Sequence, residues 1–99
     1  MNITLDTRLV LSPHVMLQEV SGEAVLLDLK GESYFGLNAA GTRIWRLVEQ
    51  GHDLRAVHAA LLHEYDVDPS RLEHDMTDLI TRLVQAGLVS AGRTGANEG

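Results

Sequence analysis

Ser33-Tyr34-Phe35-Gly36-Leu37-Asn38 is the stretch from which the fold can be read. It reads as a short strand that runs straight into a helix beginning at Asn38. Aromatic and aliphatic residues alternate with small ones, and Gly36 removes a side chain in mid-strand. A glycine there marks a bulge or a place where another backbone comes close. Two readings stay open. In one, Ser33 to Leu37 is only the third strand of a small sheet and Gly36 is a bulge. In the other, it is an open sheet edge onto which a second peptide can be laid. Edges are usually blunted by charge or proline, and Tyr34-Phe35-Gly36-Leu37 carries neither. The N-terminal segment or a second copy of the chain could equally cover it.

Upstream, Lys30-Gly31-Glu32 is a turn and Glu23 to Leu29 is a strand rich enough in Val and Leu to be buried on much of both faces. Ser21-Gly22 is a hairpin signal. His14 to Val20 alternates as the first strand, with Ser12-Pro13 before it. Residues 1–13 show no clear period, although Leu9-Val10-Leu11 could start a strand.

Downstream, Ala40, Ile44, Leu47 and Val48 recur at helical spacing beside Trp45. Asn38 is the N-cap and Gly51 the terminating glycine. Gly41 in the first turn costs about 1 kcal/mol relative to Ala, a cost that close packing on the sheet explains. Asp53 caps a second helix with the stripe Leu54, Val57, Leu61 and Tyr65, which ends in Asp66-Val67-Asp68. Asp68-Pro69 opens the third helix, with Ser70 and Glu73 as an alternative capping box. Its stripe is Leu72, Met76, Leu79 and Leu83, widened by Ile80 and Val84. Gly87 stops it, and Leu88-Val89 folds back on the core. The expected organisation is an N-terminal segment over 1–10, one domain over 11–89 and a disordered tail over 90–99. The fold class is α+β: a three-stranded antiparallel meander followed by three helices.

Ninety-nine residues suffice for one domain with a single core. The net charge of -6 disfavours a nucleic-acid backbone as partner, since the eight basic residues form no cluster. Cysteine is absent, which removes disulfides, thiolate metal sites and a cysteine nucleophile. No apolar run approaches the length of a membrane span, and Met1 to Asp6 lacks the pattern of a signal peptide. The expected location is the cytoplasm.

No constellation points to catalysis. His58 and His63 miss the i, i+4 spacing of a helical metal pair, and neither a nucleophile elbow nor a phosphate-binding glycine loop occurs. Neither a cofactor nor a metal is expected. Asp75 and Asp78 share a flank of the third helix with Arg71 and Arg82, which reads more simply as a solvated mixed-charge face than as an acid/base pair. A sharper reading sets this flank opposite the third strand as the second wall of a groove.

Glu23 to Asp28, Gly31, Tyr34-Phe35-Gly36-Leu37-Asn38 and Gly41-Thr42-Arg43-Ile44-Trp45 together resemble the PqqD family, named for pyrroloquinoline quinone biosynthesis protein D. Leu62 to Val67, Asp75 and Leu83 to Val89 also fit, so the likeness runs from about Leu11 to Val89. The resemblance implies a winged-helix-like domain that acts as a recognition element for ribosomally made, post-translationally modified peptides. Such a domain binds the leader of a precursor peptide as an added strand between the third strand and the third helix, and presents it to modifying enzymes. Carried onto this chain, one wall is Ser33, Tyr34, Phe35, Gly36 and Leu37. The other runs from Arg71 to Leu83. Apolar leader residues would meet Leu37, Leu79 and Leu83, and charged ones Arg71, Asp75, Asp78 or Arg82. The "L-D-L-K-G-E-S-Y-F-G-L-N" stretch looks closer to stand-alone leader-binding proteins of lasso-peptide clusters than to PqqD proper. The implied partners are then a leader peptidase of transglutaminase-like type and an ATP-dependent lactam synthetase. A PqqD-like partner of a radical SAM enzyme would look similar. A winged-helix DNA-binding regulator shares the architecture, but its recognition helix should be basic, and the second helix carries Arg55 against Glu64. Monomer and homodimer both stay open.

Overall fold

In the computed structural model, residues 3–31 and 33–92 are described. Five strands and three helices follow in the order β1 (Arg8–Leu11), β2 (Val15–Val20), β3 (Glu23–Asp28), β4 (Ser33–Leu37), α1 (Ala39–Glu49), α2 (Leu54–Glu64), α3 (Pro69–Gln85) and β5 (Val89–Gly92). The expected third strand is β4. The meander β2-β3-β4 is antiparallel, and β1 and β5 form a separate two-stranded ribbon.

The ribbon departs from the sequence reading. Leu9-Val10-Leu11 does form a strand, paired from Arg8↔Gly92 to Leu11↔Val89. Ser90 to Gly92, read as the start of a disordered tail, therefore belong to β5. The rest of that expected tail, 93–99, lies outside the described residues, as do Met1-Asn2 and Glu32. The N-terminal segment is also tied down by Leu5, which is buried, and by Asp6, which pairs with Arg55 of α2 at 2.7 Å. Its described residues do not pair with β4.

Local chemistry fixes the boundaries. Ser21 (φ 54°) and Gly22 (φ 83°) both take positive φ, the signature of a two-residue type I′ hairpin turn. Asn38 Oδ1 accepts from the Gly41 amide at 2.8 Å, Asp53 from that of Ala56 at 2.8 Å and Asp68 from that of Arg71 at 3.0 Å. The cap of α3 is thus Asp68 with Pro69 behind it, rather than the Ser70 and Glu73 box. A Cβ at Gly41 would come within 3.2 Å of Leu37 Cδ2, so the first turn of α1 does lie tightly on the end of β4.

Ala24, Leu26 and Leu37 on the inner sheet face pack with Ile44, Trp45 and Leu47 of α1. Leu54, Val57 and Leu61 of α2 join Met76, Ile80 and Leu83 of α3, and Leu88 and Val89 close the core. Tyr65, assigned to the stripe of the second helix, lies just past its end with extended backbone.

Candidate functional site: a cleft between strand β4 and helix α3

The helix α1 packs on β3 and β4, whereas α3 packs on α2 and β5. Between β4 and α3 the structure opens into a cleft of about 630 Å³. Its floor is apolar: Leu37, Ile44, Leu61 and Met76, all buried. Phe35 and Gly36 form the strand wall, and Leu72, Asp75, Asp78, Leu79 and Arg82 form the helix wall. Tyr65 and Val67, from the chain between α2 and α3, close one end with partly exposed apolar surface.

The strand wall has an unused hydrogen-bonding edge. Among the described residues, β4 pairs on one side only, with β3. The register and the turn together say which amides are free. A two-residue turn closes on a pair that exchanges both hydrogen bonds, here Val20↔Glu23. The odd-numbered backbone groups of β3 therefore face β2, and the amide of Leu29 continues this series by donating to His14 O at 2.9 Å. The even-numbered ones face β4, so Ala24 bonds Leu37, Leu26 bonds Phe35 and Asp28 bonds Ser33. By alternation, the N–H and C=O groups of Tyr34 and Gly36 point away from the sheet, along the open edge. The side chains of Phe35 and Leu37 point inward, and those of Tyr34 and the Gly36 position outward. The amide of Phe35 is thus spent on β3. A proline there disrupts the sheet itself, and the open edge is probed instead at Tyr34 and Gly36.

Charge sits on the rim. Arg71–Asp75 at 3.5 Å and Arg82–Asp78 at 3.4 Å are exposed pairs one helical turn apart, each worth little to stability. At the Tyr65 end, Arg43 of α1 forks onto Glu64 at 2.7 and 3.0 Å. That hydrogen bond, above all, raises the Arg43 pKa and holds the Glu64 carboxyl below its ordinary value. The pair fastens the last residue of α2 to α1, and so sets where Tyr65 leaves the helix.

Of the residues expected at the groove from sequence, Phe35, Gly36, Leu37, Asp75, Asp78, Leu79 and Arg82 line one cleft. Ser33 and Tyr34 belong to the strand but not to the lining, and Arg71 lies outside it as the partner of Asp75. Leu83, expected at the groove, is not among the lining residues. It is 2 % exposed and lies within the core beneath α3. Ile44, Tyr65 and Val67 went unrecognised as lining residues, and Leu72 was included only as part of the wall from Arg71 to Leu83. The one signal for Tyr65 and Val67 was two large apolar residues beside Asp66 and Asp68 in a stretch that should be solvated.

No group of three or more His, Asp or Glu side chains among the described residues could hold a metal ion. No helix among them is long and apolar enough to cross a membrane. The family model described as Coenzyme PQQ synthesis protein D (PqqD) matches residues 23–89. No curated protein sequence matches the chain. Among solved structures, the chain is similar to TbiB1 in complex with the TbiA(beta) leader peptide. The two share 34 % identity and a TM-score of 0.76, over 89 % of this chain and 98 % of that one. It is also similar to a lasso peptide synthetase B1 complexed with the leader peptide, at 28 % identity and a TM-score of 0.74, over 82 % of this chain and 95 % of that one.

Proposed function

The chain belongs to the PqqD family, and from this we propose that it is a recognition element for the leader of a ribosomally made precursor peptide. The observation that carries the proposal is the juxtaposition of an unpaired strand edge and an apolar-floored cleft. Tyr34 and Gly36 each offer one backbone donor and one acceptor along β4. A peptide strand laid there satisfies them, and every second side chain of that strand enters the cleft toward Leu72 and Leu79. Main-chain bonds supply affinity independent of sequence, and the cleft supplies selectivity. Both solved relatives carry a leader peptide in their complexes, which supports the same use of this surface.

The binding residues are Tyr34 and Gly36 by backbone, and Phe35, Leu37, Leu72 and Leu79 by apolar contact. Asp75, Asp78 and Arg82 read charge at the rim. The protein performs no bond-making step of its own. It raises the local concentration of the precursor at an enzyme. The partners are a leader peptidase and an ATP-dependent lactam synthetase of a lasso-peptide cluster, and the place is the cytoplasm, where ribosomes release the precursor.

The test is fluorescence anisotropy with a labelled leader from the precursor encoded beside this protein, with its core peptide and a duplex DNA as controls. Saturable binding of the leader alone is the expected result. Salt-sensitive binding of the duplex without the leader contradicts the proposal.

A further inference from the structure

An antiparallel sheet with one face in water normally turns polar side chains outward along its strands. The outer face of β2-β3-β4, away from the helices, does not. Met16, Leu27 and Tyr34 form one row across it, and Gln18, Val25 and Gly36 the next. Seven large apolar residues are exposed among the described residues, and four of them lie on this face: Met16, Val20, Leu29 and Tyr34. Tyr34 is the most exposed of the seven, at 77 %. Two residues along the strand, Gly36 leaves a gap, since a Cβ there would meet no atom within 4 Å. A shallow depression of about 560 Å³ lies at that gap, bordered by Gln18, Val20, Val25 and Gly36. Opposite charges mark the two ends of β3. Glu23 begins it, and Lys30, the chain's only lysine, stands in the turn that follows.

We propose that this face is the interface of a homodimer, in which two copies of the chain stack their sheets outer face to outer face. The face is complementary to itself about a two-fold axis that lies between the sheets and crosses the strands midway between the two rows. Such an axis lays the row Met16, Leu27, Tyr34 over the row Gln18, Val25, Gly36 of the second copy. Tyr34 then enters the second copy's depression at Gly36, and Leu27 rests on Val25. Symmetry repeats both contacts. The same axis runs β3 antiparallel to β3 of the second copy, so Glu23 of each copy meets the Lys30 end of the other. An axis parallel to the strands would instead set Glu23 against Glu23, and charge therefore chooses between the two. The footprint is small. Three strands about 4.8 Å apart and six residues of about 3.4 Å cover about 300 Å² of sheet plane per copy. That is less than a permanent dimer buries, so this dimer exchanges with monomer and forms in the micromolar range. The helices lie on the other side of each sheet, and the β4 edge and its cleft stay open. The inference is independent of the peptide-binding reading.

Sedimentation velocity of the full chain without peptide, from micromolar to submillimolar concentration, is the test. Monomer should give way to dimer as concentration rises, and nothing larger should form, because the two-fold contact closes on itself. Met16→Glu, on an exposed position and checked for fold by circular dichroism, should weaken the dimer about ten-fold. Its leader affinity by anisotropy should equal that of wild type, so the dimer and the peptide-binding reading fail separately. Glu23→Lys and Lys30→Glu should each weaken the dimer about three-fold, and the double variant should restore it. The two charges stand about 20 Å apart within one chain, so restoration reports a contact between copies. In a sample mixed from differently labelled copies, the Tyr34 ring should show a nuclear Overhauser effect to the Gly36 α-protons of the other copy. A monomer at every concentration overturns the proposal. So does a dimer that Met16→Glu leaves intact, or one that the double charge reversal does not restore.

Discussion

Among the described residues, the sheet β2-β3-β4 has two open edges, and they are built differently. On β2 the outward-facing backbone groups belong to Val15, Leu17 and Glu19. Glu19 points toward the helices, where Arg46 of α1 holds it at 3.1 Å and is itself held by Glu49 at 3.3 Å. Pro13 precedes the strand. Proline and an inward-pointing charge are devices that keep an edge from pairing. On β4 the corresponding positions are Tyr34 and Gly36, with no charge along the strand and a cleft beside it. Two edges of one sheet are thus exposed to the same solvent, yet one is guarded and the other open. The difference argues for binding at β4 more strongly than hydrophobicity does, because apolar residues occur along both strands.

The largest expected effect tests the cleft beside the open edge. Leu79→Asp removes an apolar contact and places a carboxylate on the wall. Loss of one such side chain is worth about 1.5–3 kcal/mol, so leader affinity should fall about 100-fold by anisotropy. Leu79 is only half-buried, so the far-ultraviolet circular dichroism should persist. Undiminished affinity in the folded variant removes the cleft from the account.

A proline on each edge sharpens the comparison directly. Tyr34→Pro deletes an outward donor of β4 and should weaken leader binding about five-fold, the worth of one hydrogen bond. Glu19→Pro deletes an outward donor of β2 and should leave affinity unchanged. Equal losses from both would mean that the edges do not differ in function. Phe35→Pro should instead lower the melting temperature, since that amide is bonded to β3.

Removing the guard is the next test. Glu19→Val gives β2 an uncharged edge, and light scattering should then show concentration-dependent self-association beyond that of wild type at the same concentration. A strictly unchanged mass would show that the Glu19–Arg46 pair has no protective role.

The smallest effect concerns pH. The Glu64 carboxyl is held below its ordinary value by Arg43. Its contribution to stability is therefore complete above the ordinary glutamate pKa of about 4.3 and is lost as pH falls through the lower, folded value. Glu64→Gln should melt slightly below wild type at neutral pH and converge with it in acid. Because the pair is exposed, the difference is small, and a constant offset at all pH values would contradict the assignment.

Much of this architecture was legible in the residues. Asn38, Asp53 and Asp68-Pro69 are caps whose side chains act on their own next turn, and Ser21-Gly22 sets its own hairpin, so local chemistry sufficed. The ribbon was not legible. Arg8–Leu11 and Val89–Gly92 are four residues each, and each becomes a strand only by meeting the other across most of the chain. The cleft was half legible. Periodicity places Leu72, Met76, Leu79 and Leu83 on one stripe of α3, but it cannot say which members face the core and which the opening. Met76 and Leu83 are buried, while Leu72 and Leu79 are half-exposed. Tyr65 shows the same limit at a boundary. One residue inside α2 it would be part of the stripe; one residue beyond, it turns to the cleft.

Hydrogen–deuterium exchange of single backbone amides, read by NMR with and without the leader, tests the central claim most directly. In the free protein the amides of Tyr34 and Gly36 should exchange quickly, and that of Phe35 slowly. At saturation with leader, Tyr34 and Gly36 should become protected, while Leu17 and Glu19 on the other edge stay as they were. Protection that appears on β2, or that is absent from Tyr34 and Gly36 in the bound state, would contradict strand addition at β4.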